Sequence, residues 1–395
     1  MSLSRESSVG EAEGESAPEA RVTRKSWAWV LASVLVVGAA LGVAACNTAE
    51  LKQPGGTSGV GASSGDPTTG DEGDVPGEGG SSGTVDAPPV PRSSNVTIQV
   101  QPSDSAAAII SAIQGAKKSV HMTMYLLTNT TVQDALIALH KAGKDVKVVL
   151  NKNFPPNGGD NTTSFNKLKA AGVDVVYAPG AYTFTHEKAV IIDGAKVLIM
   201  TMNLTGTSAR DNREFIATDS DPQDVADAET IFNADYTSTT VSLNGKLVVS
   251  PSEAQPVDPR GRLTALIASA KKTLDVEIQS LSDSALTDAI IAAQDAGVKV
   301  RIVTTAPGDN EETPAELQML TKMKAKSIPI VGLSKPYIHA KAIVVDGALA
   351  FVGSQNFTPT ALFQNRELGV VTDATTEVAK VQTVIAQDFA AGTPR

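Results

Sequence analysis

The chain carries one motif twice, and this repetition constrains its fold more than any other feature. THEKAVIIDG begins at residue 185 and IHAKAIVVDG begins at residue 338, and both contain His-x-Lys-x4-Asp. The preceding segments repeat too, since DALIALHKAGKDVKVVLN and DAIIAAQDAGVKVRIVTT lie 154 positions apart, against 153 for the motif histidines. A period near 150 residues is too long for a solenoid, so the sequence predicts two similar lobes.

Each copy predicts the order β-α-β-α-β. In the first copy KKSVHMTMYLL, KDVKVVLN and VDVVYAP are apolar runs typical of strands, and TVQDALIALHKAG and TSFNKLKAAG have apolar residues at helical spacing. This order indicates an α/β fold with a mainly parallel sheet covered by helices. We expect lobes at 95–247 and 248–395, related by a pseudo-twofold axis with the active site between them. The duplication favours a monomer that contains an internal pseudo-dimer.

The first 94 residues have a different character. A basic stretch precedes the uncharged run WAWVLASVLVVGAALGVAAC, which predicts a secretory signal peptide over 1–45 that ends in a lipobox, with Cys46 lipid-modified. An uncleaved anchor helix is the alternative interpretation. Gly, Ser, Thr, Pro and acidic residues dominate 46–94, which predicts a disordered linker. Both interpretations place the folded part in a bacterial cell envelope, tethered outside the inner membrane on its periplasmic or extracellular side.

The composition argues against some classes of function. Residues 95–395 contain 27 basic and 31 acidic residues, so no basic excess favours nucleic acid. The chain has one cysteine and four histidines, and no Cys/His cluster has metal-ligand spacing. The sequence therefore predicts no metal and no cofactor.

The spacing beyond the motif is the most informative pattern. From each histidine, a lysine, an aspartate, an asparagine and a glutamate follow at offsets 2, 7, 17 and 28. The two sets are His186, Lys188, Asp193, Asn203, Glu214 and His339, Lys341, Asp346, Asn356, Glu367. Histidine and lysine two apart on a strand point to the same side, and an Asp-Gly turn returns the chain so that the asparagine comes near them. Each lobe thus offers an imidazole, an ammonium and an amide on one patch.

Two such patches suit phosphodiester chemistry. Attack on phosphorus concentrates negative charge on its oxygens, which lysines and asparagines can hold as fixed donors. A neutral imidazole can attack phosphorus, and a protonated one can give its proton to the leaving alcohol. Free histidine titrates near ~6.5, so both forms are accessible near neutral pH. Attack and protonation come from opposite sides of phosphorus, which explains why each lobe supplies one histidine.

The two copies of H-x-K-x4-D, with GSQN after the second, resemble the phospholipase D superfamily from about residue 96 to the end. The resemblance implies a metal-independent phosphodiesterase that works through a covalent phosphohistidine. It implies His186 as nucleophile and His339 as general acid, which later activates water. It further implies a phosphate-binding set that comprises Lys188, Lys341, Asn203 and Asn356, with Ser354 and its counterpart Thr201 assisting.

Other residues receive supporting roles from the same resemblance. Glu214 and Glu367 are expected to orient the histidines, and Asp193 and Asp346 to be structural. The copies differ in one respect, because GSQN of the second copy is MTMN in the first. The glycine predicts a closer backbone approach in the second half, and this leaves the choice of nucleophile open.

Several neighbouring side chains have simpler interpretations. We interpret His121 as structural, and the arginines that precede each glutamate, Arg213 and Arg366, as ion-pair residues. The aromatic residues that flank the motifs either line a substrate groove or pack in the core: Tyr125, Phe184, Tyr337 and Phe357.

The sequence favours a phospholipase D-type hydrolase that removes phospholipid head groups to give phosphatidic acid, with a phospholipid or membrane surface as its partner. Three alternatives stay open. One is a metal-independent endonuclease, although nucleic acid is the less favoured partner without basic excess. Another is a phosphatidyltransferase of the cardiolipin synthase kind, in which an alcohol replaces water. The last is a catalytically silent envelope binding module.

Overall fold

The computed structural model describes residues 90–155, 159–251, 256–309 and 312–395. The predicted signal peptide, Cys46 and most of the predicted linker lie outside the described residues. Within these four ranges, no helix has both the length and the apolar character needed to cross a membrane.

The first lobe alternates strands and helices in the predicted order and adds further strands. Its elements are β1 (Val96–Gln101), α1 (Ala107–Gln114), β2 (Ser119–Met124), α2 (Thr130–Lys141), β3 (Asp145–Leu150), α3 (Thr162–Ala170), β4 (Asp174–Tyr177), β5 (Lys188–Ile192), β6 (Lys196–Met200), α4 (Ser208–Asp211), β7 (Asn212–Asp219) and α5 (Pro222–Thr237).

The second lobe repeats this order. Its elements are β8 (Val248–Ser250), α6 (Pro259–Ala268), β9 (Thr273–Ile278), α7 (Ser284–Asp295), β10 (Lys299–Thr305), α8 (Pro314–Lys324), β11 (Ile330–Leu333), β12 (Tyr337–Ile338), β13 (Lys341–Val345), β14 (Leu349–Gly353), α9 (Pro359–Phe363), β15 (Glu367–Thr372), α10 (Thr375–Ala391) and β16 (Thr393–Pro394).

Each lobe is built on one mixed sheet. The strand orders are β1-β7-β6-β5-β2-β3-β4 and β16-β11-β10-β9-β13-β14-β15-β8. Parallel pairing joins β2 to β3 and β3 to β4 in lobe 1, β9 and β11 to β10 in lobe 2, and β12 to β7 between the lobes, whereas the other pairs within each sheet are antiparallel. The expectation of a mainly parallel sheet was therefore wrong. The motif hairpin and the strand that follows it add antiparallel neighbours, since a tight turn can join only antiparallel strands.

Both faces of the motif strands are buried. In β5, Ala189 and Ile191 belong to a central core that residues of both lobes share, whereas Val190 and Ile192 face the helices of lobe 1. The second lobe repeats this pattern along β13. Strands covered on both faces are continuous apolar runs, which accounts for the sequences AVII and AIVV. The shared core between the sheets fixes the two motifs relative to each other.

The motif aspartates hold the hairpin turns. Asp193 and Gly194 have φ values of 59° and 60°, as a two-residue type I′ turn requires. The Asp193 carboxylate accepts backbone N–H groups of residues 117, 118 and 119, and Asp346 accepts those of 271, 272 and 273. Three charge-assisted bonds clamp the turn to the start of the neighbouring strand. Both aspartates lie at the far ends of their strands, as a structural role requires.

Candidate active site

Each motif histidine is bonded to the glutamate of the other lobe. The His186 Nδ1 atom lies 2.9 Å from Glu367 Oε1, and His339 Nδ1 lies 2.9 Å from Glu214 Oε1. The two histidines occupy equivalent positions in the lobes, as do the two glutamates, since 153 positions separate the members of each pair. The two contacts are therefore reciprocal. Such a contact pattern is that of a twofold axis between equivalent surfaces. Neither lobe has a complete histidine–glutamate pair by itself.

Backbone pairing between the lobes brings each glutamate to its histidine. In one direction, the His186 N–H donates to the Arg366 carbonyl, and the Arg366 N–H donates to the Phe184 carbonyl. In the other, β12 pairs in parallel with β7 at Asn212 and Arg213. The residue that follows each pairing on the partner lobe is the glutamate. Its side chain therefore projects next to the histidine.

Asparagine side chains support both glutamates. The side-chain amides of Asn212 and Asn365 donate to Glu214 and Glu367, each over 3.1 Å. Burial alone would raise the pKa of these carboxyls, but the neighbouring histidines and lysines lower it. Ionised glutamates accept the Nδ1 proton, so each ring directs Nε2 outward. The residue triplet NRE, present in both copies, is the sequence signal of this support, although these asparagines were not predicted to have a role.

The two hydroxyl residues contact this support and are themselves buried. Thr201 Oγ1 donates to Glu214 over 2.5 Å. Ser354 Oγ accepts the Leu368 N–H at the equivalent place on the second sheet, next to Glu367. These contacts indicate that both residues position the glutamates. The expected bonds from the two hydroxyls to phosphate stay a prediction.

The lysines are fully buried beneath the histidines. Lys341 donates to the His339 carbonyl over 2.7 Å and to Gln279 over 2.9 Å, and Lys188 donates to the His186 carbonyl. Burial, together with the like charge of Lys341, lowers the pKa of Lys188 to about 7. Burial lowers that of Lys341 to about 8. The charge of each lysine also lowers the pKa of the histidine on the other lobe, so both motifs share one electrostatic environment.

Asn203 and Asn356 are free to bind a ligand. Both are half-buried, and neither amide makes a side-chain hydrogen bond with any residue that the structure describes. Their carbonyl oxygens are buried without a partner. Unsatisfied buried polar atoms are costly unless a ligand or water pairs them. Their side-chain NH₂ groups can donate to phosphate oxygens, as the predicted phosphate-binding role requires, and that role stays a prediction.

Both imidazoles are neutral at neutral pH. Burial lowers the pKa of His186 to about 4, with the two motif lysines acting in the same direction and Glu367 opposing them. Burial and Lys341 also lower the pKa of His339. A neutral His186 has its Nε2 lone pair free for attack. His339 would need a bound anion nearby to gain the proton that the predicted general acid donates.

We expect anion binding at this site to take up protons. At pH 8 the free site holds His186 and much of Lys188 deprotonated, and a bound anion stabilises their cationic forms. Sulfate, which does not itself titrate near neutral pH, should bind with uptake of roughly one proton. Calorimetric titration in two buffers of different ionisation enthalpy measures this number. Lys188→Met should reduce the uptake, and equal heats in both buffers would contradict the prediction.

A second pair of reciprocal contacts joins the lobes through the arginines. Arg366 pairs with Asp235 over 2.9 Å, and Arg213 pairs with Asp388 over 2.5 Å. The interpretation of both arginines as ion-pair residues is confirmed. Each pair crosses the lobe boundary one residue before a glutamate of the site. Since removal of one partner would leave a buried charge, the pairs hold the two sheets in register.

The glycine in GSQN has an explanation in core packing. A side chain at Gly353 would meet the ring of Phe351 at 2.7 Å and the Cα of Gly369 at 2.8 Å. In lobe 1 the positions of Phe351, Gly353 and Gly369 are Leu198, Met200 and Ile216. The glycines therefore make room for a larger ring in the core. Packing accounts for this difference between the copies, and the choice of nucleophile stays a prediction.

The histidine and aromatic residues near the motifs differ in their distance from the site. His121 bonds to Glu229 and stacks on Phe232 away from the motifs, as a structural residue. Phe357 is fully buried in the core of lobe 2. Tyr125 contacts His186 and is part of the site, with ring centroids 4.6 Å apart. Among the described residues, no group of three or more His, Cys, Asp or Glu is arranged to hold a metal.

A cavity of about 490 Å³ lies at the lobe boundary but is separate from the histidines. Its lining includes Tyr182 and Arg366, which belong to the Asp235 ion-pair network. The side chain of Arg366 points to this network, and that of the next residue, Glu367, points to His186. Neighbouring strand residues point to opposite faces, so the cavity and the histidines lie on opposite faces of this segment.

Comparison with known proteins identifies the repeated unit. A family model described as "Cardiolipin synthase, PLD-like domain" matches residues 109–236 and again 263–389. The minor cardiolipin synthase ClsB of Bacillus subtilis is 25% identical over 314 residues, which cover 72% of this chain and 79% of that protein. The mitochondrial cardiolipin hydrolase of Xenopus tropicalis is 30% identical over 113 residues, which cover 28% of this chain and 52% of that protein.

The fold has counterparts among solved structures. The phosphatidylserine synthase of Haemophilus influenzae superposes with a TM-score of 0.59 at 13% identity, over 76% of this chain and 87% of that one. At such low identity the likeness shows the fold alone. The two lobes and their mixed sheets are therefore a known arrangement.

Proposed function

Because this chain belongs to the family of cardiolipin synthase, phospholipase D-like domains, with one domain in each lobe, we propose that it transfers a phosphatidyl group from one phospholipid to an alcohol. Members of the phospholipase D superfamily act on phosphodiester bonds. The observation that supports the proposal best is the pair of crossed histidine–glutamate contacts, which give one site two oriented imidazoles. Transfer, rather than hydrolysis, is favoured by the resemblance to ClsB across both lobes.

The first half-reaction forms a covalent adduct. His186 Nε2 attacks phosphorus while Glu367 holds the Nδ1 proton, and a P–N bond forms. The bond from phosphorus to the head alcohol breaks, and His339 Nε2 donates its proton to the departing oxygen. Lys188, Lys341, Asn203 and Asn356 hold the phosphoryl oxygens as their charge increases.

The second half-reaction reverses these roles. An acceptor alcohol loses its proton to His339 Nε2 and attacks phosphorus, the P–N bond breaks, and His186 is regenerated. If water takes the place of the alcohol, the product is phosphatidic acid. Hydrolysis is the second candidate function, and the similarity to a mitochondrial cardiolipin hydrolase favours it. The predicted lipid at Cys46 would keep the site near its substrate in either case.

The products of one assay decide between these functions. The full chain is incubated with mixed micelles of phosphatidylglycerol in EDTA, and lipids are separated by mass spectrometry. Transfer gives cardiolipin and glycerol, whereas hydrolysis gives phosphatidic acid. Plasmid DNA is added to a parallel sample. Cleavage of the plasmid with unchanged lipid would overturn the proposal in favour of a nuclease, and His186→Asn controls for contaminating activity.

A further inference from the structure

The two halves of the site carry unlike residues at equivalent positions. Tyr125 follows strand β2 directly, and Gln279 follows the equivalent strand β9. The Tyr125 ring stands edge-to-face against the His186 ring. Gln279 instead accepts from Lys341 over 2.9 Å and donates to the Tyr337 hydroxyl over 3.1 Å. The internal symmetry of the site is therefore broken next to each histidine.

An aromatic cluster forms on the His186 side only. The ring of Tyr125 lies 4.9 Å from that of Phe154 and 6.1 Å from that of Phe184, measured between centroids. All three side chains are partly exposed. Burial and Glu367 raise the pKa of Tyr125 to about 12, so its ring stays neutral and presents an apolar face. The cluster is thus an accessible apolar surface next to the predicted nucleophile.

The His339 side is polar instead. The positions equivalent to Phe154 and Phe184 are Gly308 and Tyr337, so one ring is lost and the other gains a hydroxyl. Burial raises the pKa of Tyr337, and the carboxylates of Asp309 and Glu316 raise it further. An amide, a phenol and nearby carboxylates are groups that hydrogen-bond an alcohol and repel an acyl chain.

We propose that the site is polarised: the aromatic cluster holds the acyl-bearing glycerol part of the phosphatidyl group, and the polar half next to His339 receives the alcohol that leaves or enters. This inference rests on the proposed phospholipid function. It agrees with the assigned roles, because the departing alcohol must lie next to the proton donor, opposite the nucleophile.

The cluster does not suit a cationic head group. Aromatic faces bind quaternary ammonium groups when no other cation occupies them. Here Lys188 Nζ already lies 5.0 Å from the Tyr125 ring centroid. A bound phosphodiester stabilises the cationic form of Lys188, so a second cation at this face would meet like charge in a poorly solvated place. The apolar part of the substrate is therefore the ligand that the cluster fits.

The test compares substrates that differ only in their acyl chains. Full-length wild type and Phe154→Ala are assayed with soluble dihexanoyl phosphatidylglycerol and with its deacylated form, glycerophosphoglycerol. We expect the variant to lose about tenfold in kcat/KM for the acylated substrate and less than about twofold for the deacylated one. If wild type does not turn over the deacylated compound, its inhibition constant replaces kcat/KM.

Two further variants serve as controls. Phe165→Ala makes the same truncation at a partly buried ring that stacks on Tyr177. It should change kcat/KM for the two substrates by the same factor. Phe184→Leu keeps most of the side-chain volume, so it disturbs folding less than truncation to alanine. It should shift the ratio of kcat/KM for the acylated and the deacylated substrate in the same direction as Phe154→Ala. An equal loss of kcat/KM for both substrates in both cluster variants would overturn the polarised site but would leave the proposed function intact. If wild type turns over no acylated substrate, the proposed function fails and this inference fails with it.

Discussion

Replacement of His186 by asparagine is expected to abolish both turnover and covalent labelling, whereas replacement of His339 leaves labelling intact. His186 is the predicted nucleophile, so its loss should reduce turnover by at least ~10⁴-fold for every substrate. His339 supplies the proton for the leaving alcohol. A p-nitrophenyl ester needs no such proton, so His339→Asn should still form the adduct with that substrate and then hold it, because nothing activates the acceptor.

The position of the covalent adduct shows directly which histidine is the nucleophile. The enzyme is mixed with phosphatidyl p-nitrophenol, and nitrophenol release is followed alongside mass spectrometry of the alkali-stable, acid-labile adduct. His339→Asn should give a burst of one nitrophenol per site and an adduct on His186. An adduct on His339 in the His186→Asn variant would reverse the roles of the two histidines.

Much of the site could be predicted because its residues lie at regular spacing. The offsets from histidine to lysine, asparagine and glutamate describe a strand, a turn and a returning strand, and β5, β6 and β7 form that arrangement. The alternation of side chains along a strand then places His186 and Lys188 together, whatever surrounds them. Local patterns of this kind need no knowledge of tertiary structure.

The partner of each histidine could not be predicted in this way. Glu214 and Glu367 have the same offset from their own histidine, so the sequence is identical whether pairing occurs within a lobe or across the boundary. The choice depends on the bridge between Thr185 and Arg366 and on its counterpart at β12, which are tertiary contacts. The mixed sheet was missed for a similar reason, because a hairpin pattern does not tell which strand it joins.

The glycine of GSQN shows how packing can imitate function. Gly353 lies beside a presumed phosphate residue, so its absence from the first copy suggested unequal backbone approach. The structure relates it to Phe351, whose ring a side chain at position 353 would meet at 2.7 Å. Interiors are close-packed, so a large residue at one position requires a small one opposite it. Only the neighbours across the sheet, and not the sequence, distinguish these explanations.

The crossed pairing predicts that each glutamate variant behaves like a defect of the opposite lobe. Glu214→Gln should impair His339, the general acid, and so reduce turnover of phosphatidylglycerol by ~10²- to ~10⁴-fold. The same variant should release p-nitrophenol in its burst at nearly the wild-type rate, since that leaving group needs no proton. Glu367→Gln should impair the nucleophile His186, and the burst should slow together with turnover of phosphatidylglycerol.

Pairing within each lobe would give the opposite result. In that case Glu214→Gln would slow the nitrophenol burst and Glu367→Gln would spare it, so burst rates alone distinguish the two arrangements. The matched control is Glu187→Gln, which makes the same substitution at a buried glutamate next to His186 in sequence. Glu187 contacts neither imidazole, and burial raises the pKa of its carboxyl to about 8, so it is largely protonated at neutral pH. Its amide should therefore leave the burst rate within about twofold of wild type, because an uncharged amide replaces a carboxyl that is already largely neutral.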